Sequence, residues 1–151
     1  MSNYYVFIKG DSYHKDGRLI SAKEAAEQLM SSKIWPLYQR TAHRRSVQVG
    51  DHILFYVSGK RKGAQVVLGS AIVSGKEEWK KFHTNHCPIH SENIPYTAIL
   101  FEDVVYFPEP IQVRDKVENL TFIKQRPQKW GLSFMGGVTK IDKTSFEILS
   151  N

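Results

Sequence analysis

The apolar runs in this chain are short, and that limits what it can fold into. Residues 4–8 (YYVFI), 52–57 (HILFYV), 66–73 (VVLGSAIV), 96–105 (YTAILFEDVV) and 106–113 (YFPEPIQV) are rich in β-branched and aromatic residues and are set off by Gly, Pro, Asp or Lys. Runs of this length and composition read as strands, the last two as separate strands or one bent one. One segment, residues 22–31, repeats apolar positions at helical spacing through Ala22, Ala25, Ala26, Leu29 and Met30. Ser21-Ala-Lys-Glu24 opens it as a capping box, and a helix lying across the end of a sheet is expected there. Strands and helices do not alternate, so a parallel nucleotide-binding sheet is excluded. The pattern predicts an α+β fold: a strongly curved sheet or partly closed barrel of five to seven strands with a few flanking helices. With 151 residues, the chain has the length of one domain, residues 1–151.

Punctuation supplies further expectations. Gln48-Val-Gly-Asp51 reads as a turn and residues 58–63 (SGKRKG) as a hairpin-like connection. Gly69 and Ser70 inside a strand indicate a bulge or a close backbone approach. Pro108 and Pro110 restrict their strand to an edge, residues 120–123 look like another short strand, and residues 144–149 form a terminal helix or extension.

Charge is unevenly spread. The net charge is +6, but residues 1–76 carry 12 Lys/Arg against 5 Asp/Glu and residues 77–151 carry 9 against 10. A basic excess in one half is the electrostatic footprint of a polyanion binder, and equally of a merely basic protein. There is no apolar run long enough for a membrane span and no leader-like start, and the one cysteine, Cys87, has no internal partner. These features predict a cytoplasmic protein without membrane attachment.

Two stretches concentrate aromatic and cationic side chains. Residues 34–45 (IWPLYQRTAHRR) interleave Trp35 and Tyr38 with Arg40, His43, Arg44 and Arg45 and show no regular period. Residues 120–141 run from an apolar segment through Lys124, Arg126 and Lys129 to Trp130, Ser133 and the pair Gly136-Gly137. Flat aromatic faces beside positive charges suit a stacked base with its phosphate nearby. A core tryptophan ringed by solvated cations is the plainer reading. Lys60, Arg61 and Lys62 are candidates for phosphate contact or a solvated turn.

Catalytic constellations are missing. No phosphate-cradling glycine loop, zincin helix, nucleophile elbow or deaminase pattern occurs. His83, His86, Cys87 and His90 are possible zinc ligands by type, but their crowding into eight residues matches no standard finger, and a polar surface loop is the expectation. No metal or other cofactor is expected.

Three features together carry a likeness to a known family. They are the opening aromatic strand, the Trp35 segment leading through Val49-Gly50-Asp51 to Leu54-Phe55-Tyr56, and the closing L-x-F-I-K-x-x-x-x-W-G-x-x-F-x-G-G. On these the chain resembles the EVE family of the PUA-like superfamily, which also includes the YTH, ASCH and SRA-type base readers. The resemblance implies a curved barrel whose pocket holds a modified base lifted from its strand. By position it implies Trp35, Tyr38, Trp130 and Ser133 as pocket residues. Arg40, Arg44, Arg45, Lys124, Arg126 and Lys129 would serve the nucleic-acid backbone, to which the residue reading adds Lys60, Arg61 and Lys62 as candidates. Many EVE sequences continue their first strand into a Ser-Glu-Pro-like turn, where this chain has Lys9-Gly10-Asp11.

The leading expectation is therefore a non-enzymatic DNA or RNA binder that reads a modified base. A small-molecule or nucleotide-binding regulatory domain using the same pocket is the alternative. An enzyme acting on a nucleic-acid component would have to use His43, the one group in the Trp35 segment that titrates near neutral pH.

Overall fold

The computed structural model describes residues 2–14, 16–38, 40–78, 97–123 and 127–150, without the side chains of 127 and 128. The possible metal ligands at 83–90, and Lys124 and Arg126, lie outside these residues.

Strand β1 (Tyr4–Lys9) is followed by the two-residue strands β2 (Ser12–Tyr13) and β3 (Leu19–Ile20), which form a small hairpin. Next come α1 (Ala22–Ser32), β4 (Ile34–Leu37), β5 (His52–Val57), β6 (Val66–Glu78) and β7 (Thr97–Gln112), and the chain closes with β8 (Val138–Ile141) and α2 (Lys143–Leu149). 3-10 turns occupy Val113–Asn119 and Pro127–Ser133, the latter broken by a kink at Lys129. Six strands form one sheet in the order β4-β7-β6-β5-β1-β8. The β1–β5 pair is parallel and the other pairs are antiparallel. This curled half-barrel with helices on its faces is a PUA-like α+β fold.

The apolar runs are continuous because the sheet is covered on both sides. Tyr5 and Phe7 of β1 face one core together with Trp35, Phe55, Phe101 and the apolar stripe of α1. Val6 faces a second core with Leu54, Tyr56, Phe134 and Leu149. The helix thus packs on the face of the sheet instead of across its end. Its N-cap is Ser21, whose hydroxyl accepts from the Glu24 amide at 3.2 Å, and it ends on Lys33 in the left-handed region (φ 57).

Strong curvature comes from β6 and β7, whose pairing shifts register three times. One shift is at Gly69, where a Cβ would come within 2.1 Å of the Val105 carbonyl oxygen. The expected bulge and the expected close approach are therefore the same feature. Pro108 and Pro110 fall where β7 pairs with β6 alone, on an edge as expected.

Two local expectations fail. Residues 34–37 are a strand, too short to show a period in sequence, and Pro36 is tolerated because β4 is the sheet's outer strand. Residues 120–122 are not a strand: Leu120 is buried in the second core and its amide bonds the Val117 carbonyl at 3.2 Å, closing a turn. β-propensity expresses itself only with a partner strand, and this run packs beneath the sheet. Among the described residues, no helix is long and apolar enough to cross a membrane.

Candidate functional site

The two stretches singled out in the sequence meet. The Ala42 amide donates to the Gly136 carbonyl at 3.0 Å. Gly136 and Gly137 both have φ +84, and a Cβ on Gly137 would stand 3.0 Å from the Thr41 methyl. Left-handed backbone and close approach together explain why this pair is glycine.

The loop after β4 is built to reach that point. The Tyr38 amide donates to the Thr41 hydroxyl at 2.9 Å, the Thr41 amide to the Tyr38 carbonyl at 3.0 Å, and Arg44 Nη1 to the Thr41 carbonyl at 3.2 Å. His43 takes a left-handed conformation (φ 58). The amides of Ser46 and Val47 return to its carbonyl, and Val47 is fully buried. Asp51, only 3% exposed, ties the following turn to the N-terminus, accepting from the amides of Asn3 and Gln48. The Val-Gly-Asp motif is thus architectural.

Between this loop and the closing segment lies an open cleft of about 380 Å³, lined by Ala42, His43, Phe122, Ser133, Met135, Val138, Thr139 and Lys140. Phe122 is the aromatic lining residue beside His43, and it belongs to an aromatic cluster of the second core: Phe134 stacks on Tyr56 at 4.4 Å, and Phe122 and Trp130 meet Phe134 edge-on at 5.6 and 5.7 Å. Behind His43 lies the buried Tyr5, ring to ring at 5.8 Å. Burial, and then the Asp51 carboxylate, raise the Tyr5 phenol above its ordinary value, which keeps it neutral under physiological conditions. No acidic side chain is among the described lining residues. Among the described residues there is also no group of three or more His, Cys, Asp or Glu placed to hold a metal ion.

The structure distributes the expected site residues unevenly. Ser133 lines the cleft, with its carbonyl accepting from the Thr139 hydroxyl at 2.7 Å. Trp130 is half-buried against Phe134 of the second core and is not among the cleft-lining residues, and Tyr38 is half-buried at the root of the loop. Trp35 is a correction. It is 3% exposed, stacked on Phe55 at 5.3 Å and set against Phe7 at 5.8 Å, so neither face is open to a base.

Arg40, Arg45 and Lys129 are exposed, whereas Arg44 is half-buried against its own loop. Lys60, Arg61 and Lys62 are exposed on the turn after β5, where Arg61 pairs with Asp11 at 3.1 Å. Sequence reasoning overlooked Ala42, Phe122, Met135, Val138, Thr139 and Lys140. The Gly136-Gly137 pair was the available signal, because it marks the place where another backbone comes close.

A family model for the EVE domain matches residues 20–151. No curated protein is similar enough in sequence to match the chain. Among solved structures, the ASCH protein of Zymomonas mobilis aligns with TM-score 0.60 and 14% identity over 96% of this chain and 92% of that one. The N-terminal domain of McrB from Staphylothermus marinus gives TM-score 0.58 at 10% identity, covering 99% and 93%. Human THYN1, solved in complex with DNA containing 5-methylcytosine, gives 0.54 at 15%, covering 97% and 95%. At these identities the structural likeness shows a shared fold.

Proposed function

The chain belongs to the EVE family, and from that premise we propose that it binds nucleic acid and receives a single modified base in the cleft between the His43 loop and β8. The observation that carries this reading is the convergence of the two aromatic and cationic stretches on one concavity through the Ala42–Gly136 hydrogen bond. A cleft of about 380 Å³ suits one nucleoside-sized ligand. A base must leave its stack to enter such a space, and it then offers both its faces and its hydrogen-bonding edge to the protein.

Charge supports the same reading. Exposed Arg40, Arg45, Lys129 and Lys140 surround or flank the cleft-forming segments, and no described lining residue is acidic. Human THYN1, with the same fold, has been solved on methylcytosine DNA. A binding role fits better than a catalytic one, because His43 has no acidic partner among the described lining residues to orient or charge it.

The test is binding to short oligonucleotides, DNA and RNA, single- and double-stranded, with and without methylated bases, at two salt concentrations. Preference for one modified base that persists at the higher salt supports the base-reading cleft. Weak, salt-labile binding to every oligonucleotide assigns only the basic surface to nucleic acid. Nucleotide-dependent thermal stabilisation without oligonucleotide binding would transfer the cleft to a small molecule.

A further inference from the structure

The outer edge of β8 carries a feature that the base-reading proposal leaves unused. Residues in an antiparallel strand turn their peptide groups alternately toward and away from the partner. The Ile8 amide donates to the Gly137 carbonyl, and the register pairs Val6 with Thr139 and Tyr4 with Ile141. Gly137, Thr139 and Ile141 therefore face β1, while Gly136, Val138 and Lys140 turn their peptide groups outward. Ala42 occupies the outward carbonyl of Gly136. No described strand pairs with this outer edge of β8. Val138 and Lys140 both line the cleft; Val138 is buried and Lys140 is exposed, so the Lys140 peptide stands nearer the mouth.

We propose that the outward N–H and C=O of Lys140 read the Watson–Crick edge of the base in the cleft. This rests on the function proposed above and specifies how that site recognises its ligand. A β-residue turned outward presents a donor and an acceptor side by side. The pairing edge of a nucleobase presents the complementary pair, for cytosine or adenine an amino donor beside a ring-nitrogen acceptor. Main-chain groups cannot change rotamer, so they demand an unblocked ring nitrogen and leave the opposite side of the base free. The site thus admits bases methylated on carbon or on the exocyclic amine, and it rejects bases alkylated on the pairing ring nitrogen. One base fits the short open edge better than an added strand, because Ala42 already closes it at Gly136.

The test uses single-stranded oligonucleotides, so that lost base pairing does not itself favour extrusion. Each carries at one position 5-methylcytosine, 3-methylcytosine, N6-methyladenine, 1-methyladenine or an abasic residue, and binding is followed by fluorescence anisotropy. The base preferred over the abasic control should lose at least tenfold in affinity when its methyl group is moved to the ring nitrogen. Proline is tolerated on an edge strand where its missing N–H points outward, so Lys140→Pro deletes the donor and Lys140→Ala removes only the charged side chain. Lys140→Pro should bind every oligonucleotide as if it were abasic, and Lys140→Ala should keep the preference while weakening all affinities alike.

A ring-nitrogen isomer bound within threefold of the preferred base would overturn the inference. So would a folded Lys140→Pro protein that keeps the preference. Should the proline variant fail to fold, the isomer comparison on the wild type decides alone. A wild type that ignores every base relative to the abasic control defeats the base-reading cleft itself, a separate outcome. A wild-type dimer in sedimentation that Lys140→Pro dissociates would assign the edge to a second copy and refute the proposal.

Discussion

Ala42 donates its backbone amide to the carbonyl of Gly136 at 3.0 Å, joining a loop from one end of the sheet order to the strand at the other. Among the described residues, this loop closes the half-barrel at this point. The cleft opens beside the junction, between His43 and the β8 residues Val138, Thr139 and Lys140.

Gly137→Ala tests this junction. Left-handed backbone costs alanine about 1–2 kcal/mol wherever it occurs. Gly17 has a similar φ of +89 with nothing within 4 Å, so Gly17→Ala measures the backbone cost alone. Gly137→Ala adds the contact with Thr41 at 3.0 Å. In urea denaturation it should destabilise more than Gly17→Ala and should also weaken base preference, while Gly17→Ala leaves binding unchanged.

Trp35→Ala separates a structural tryptophan from a ligand-binding one. Emptying a site that is 3% exposed and packed on Phe7 and Phe55 should cost about 3–5 kcal/mol. Trp35→Phe should cost much less and leave oligonucleotide selectivity intact in anisotropy titrations. A selective loss of the modified base with Trp35→Phe would return this residue to the site.

Much of this architecture is legible in the sequence, for physical reasons that differ by element. Residues 4–8 and 52–57 announce themselves because burial on both faces leaves no polar positions, and the Ser21 cap with its alanine stripe specifies α1. The Val-Gly-Asp turn and the Gly69 bulge are backbone requirements that only particular residues meet. β4 stayed hidden because four residues are too few to show a period and Pro36 argues against a strand. The cleft was legible only in part. Ser133, named through its motif, does line the cleft, but Ala42, Val138, Thr139 and Lys140 reach it through backbone position, and side-chain chemistry gives no sign of that. Trp35 was misread because an aromatic beside arginines has the same sequence signature whether it faces a ligand or a core.

Tyr56 should make stability fall in alkali. Burial alone pushes its phenol up to about 12 from 10. The neutral form is the one the fold accommodates, so the contribution is fully present below pH 10, the unfolded value, and is lost as pH rises from 10 toward 12. Melting temperature should drop across that window, and Tyr56→Phe should flatten the drop, with a residual slope from Tyr5, whose phenol is also raised. An unchanged slope in Tyr56→Phe would contradict this assignment.

Cations on the rim should act without regard to sequence. Arg45→Ala and Lys129→Ala remove exposed charges and should weaken modified and unmodified oligonucleotides by the same factor. If the charge removed contacts a phosphate, the slope of log affinity against log salt falls by about 1. A loss confined to the modified base would place that residue in the cleft instead.

The central claim is that the base enters beside β8, and amide chemical-shift mapping tests it most directly. Isotope-labelled protein is titrated with an oligonucleotide carrying the preferred modified base and, separately, with the matching abasic oligonucleotide. The account predicts saturable shifts at Ala42, His43, Thr139 and Lys140 that appear with the base and not with the abasic control. Shifts that are the same for both oligonucleotides and gather on Lys60, Arg61 and Lys62, with the β8 amides unmoved, would contradict it.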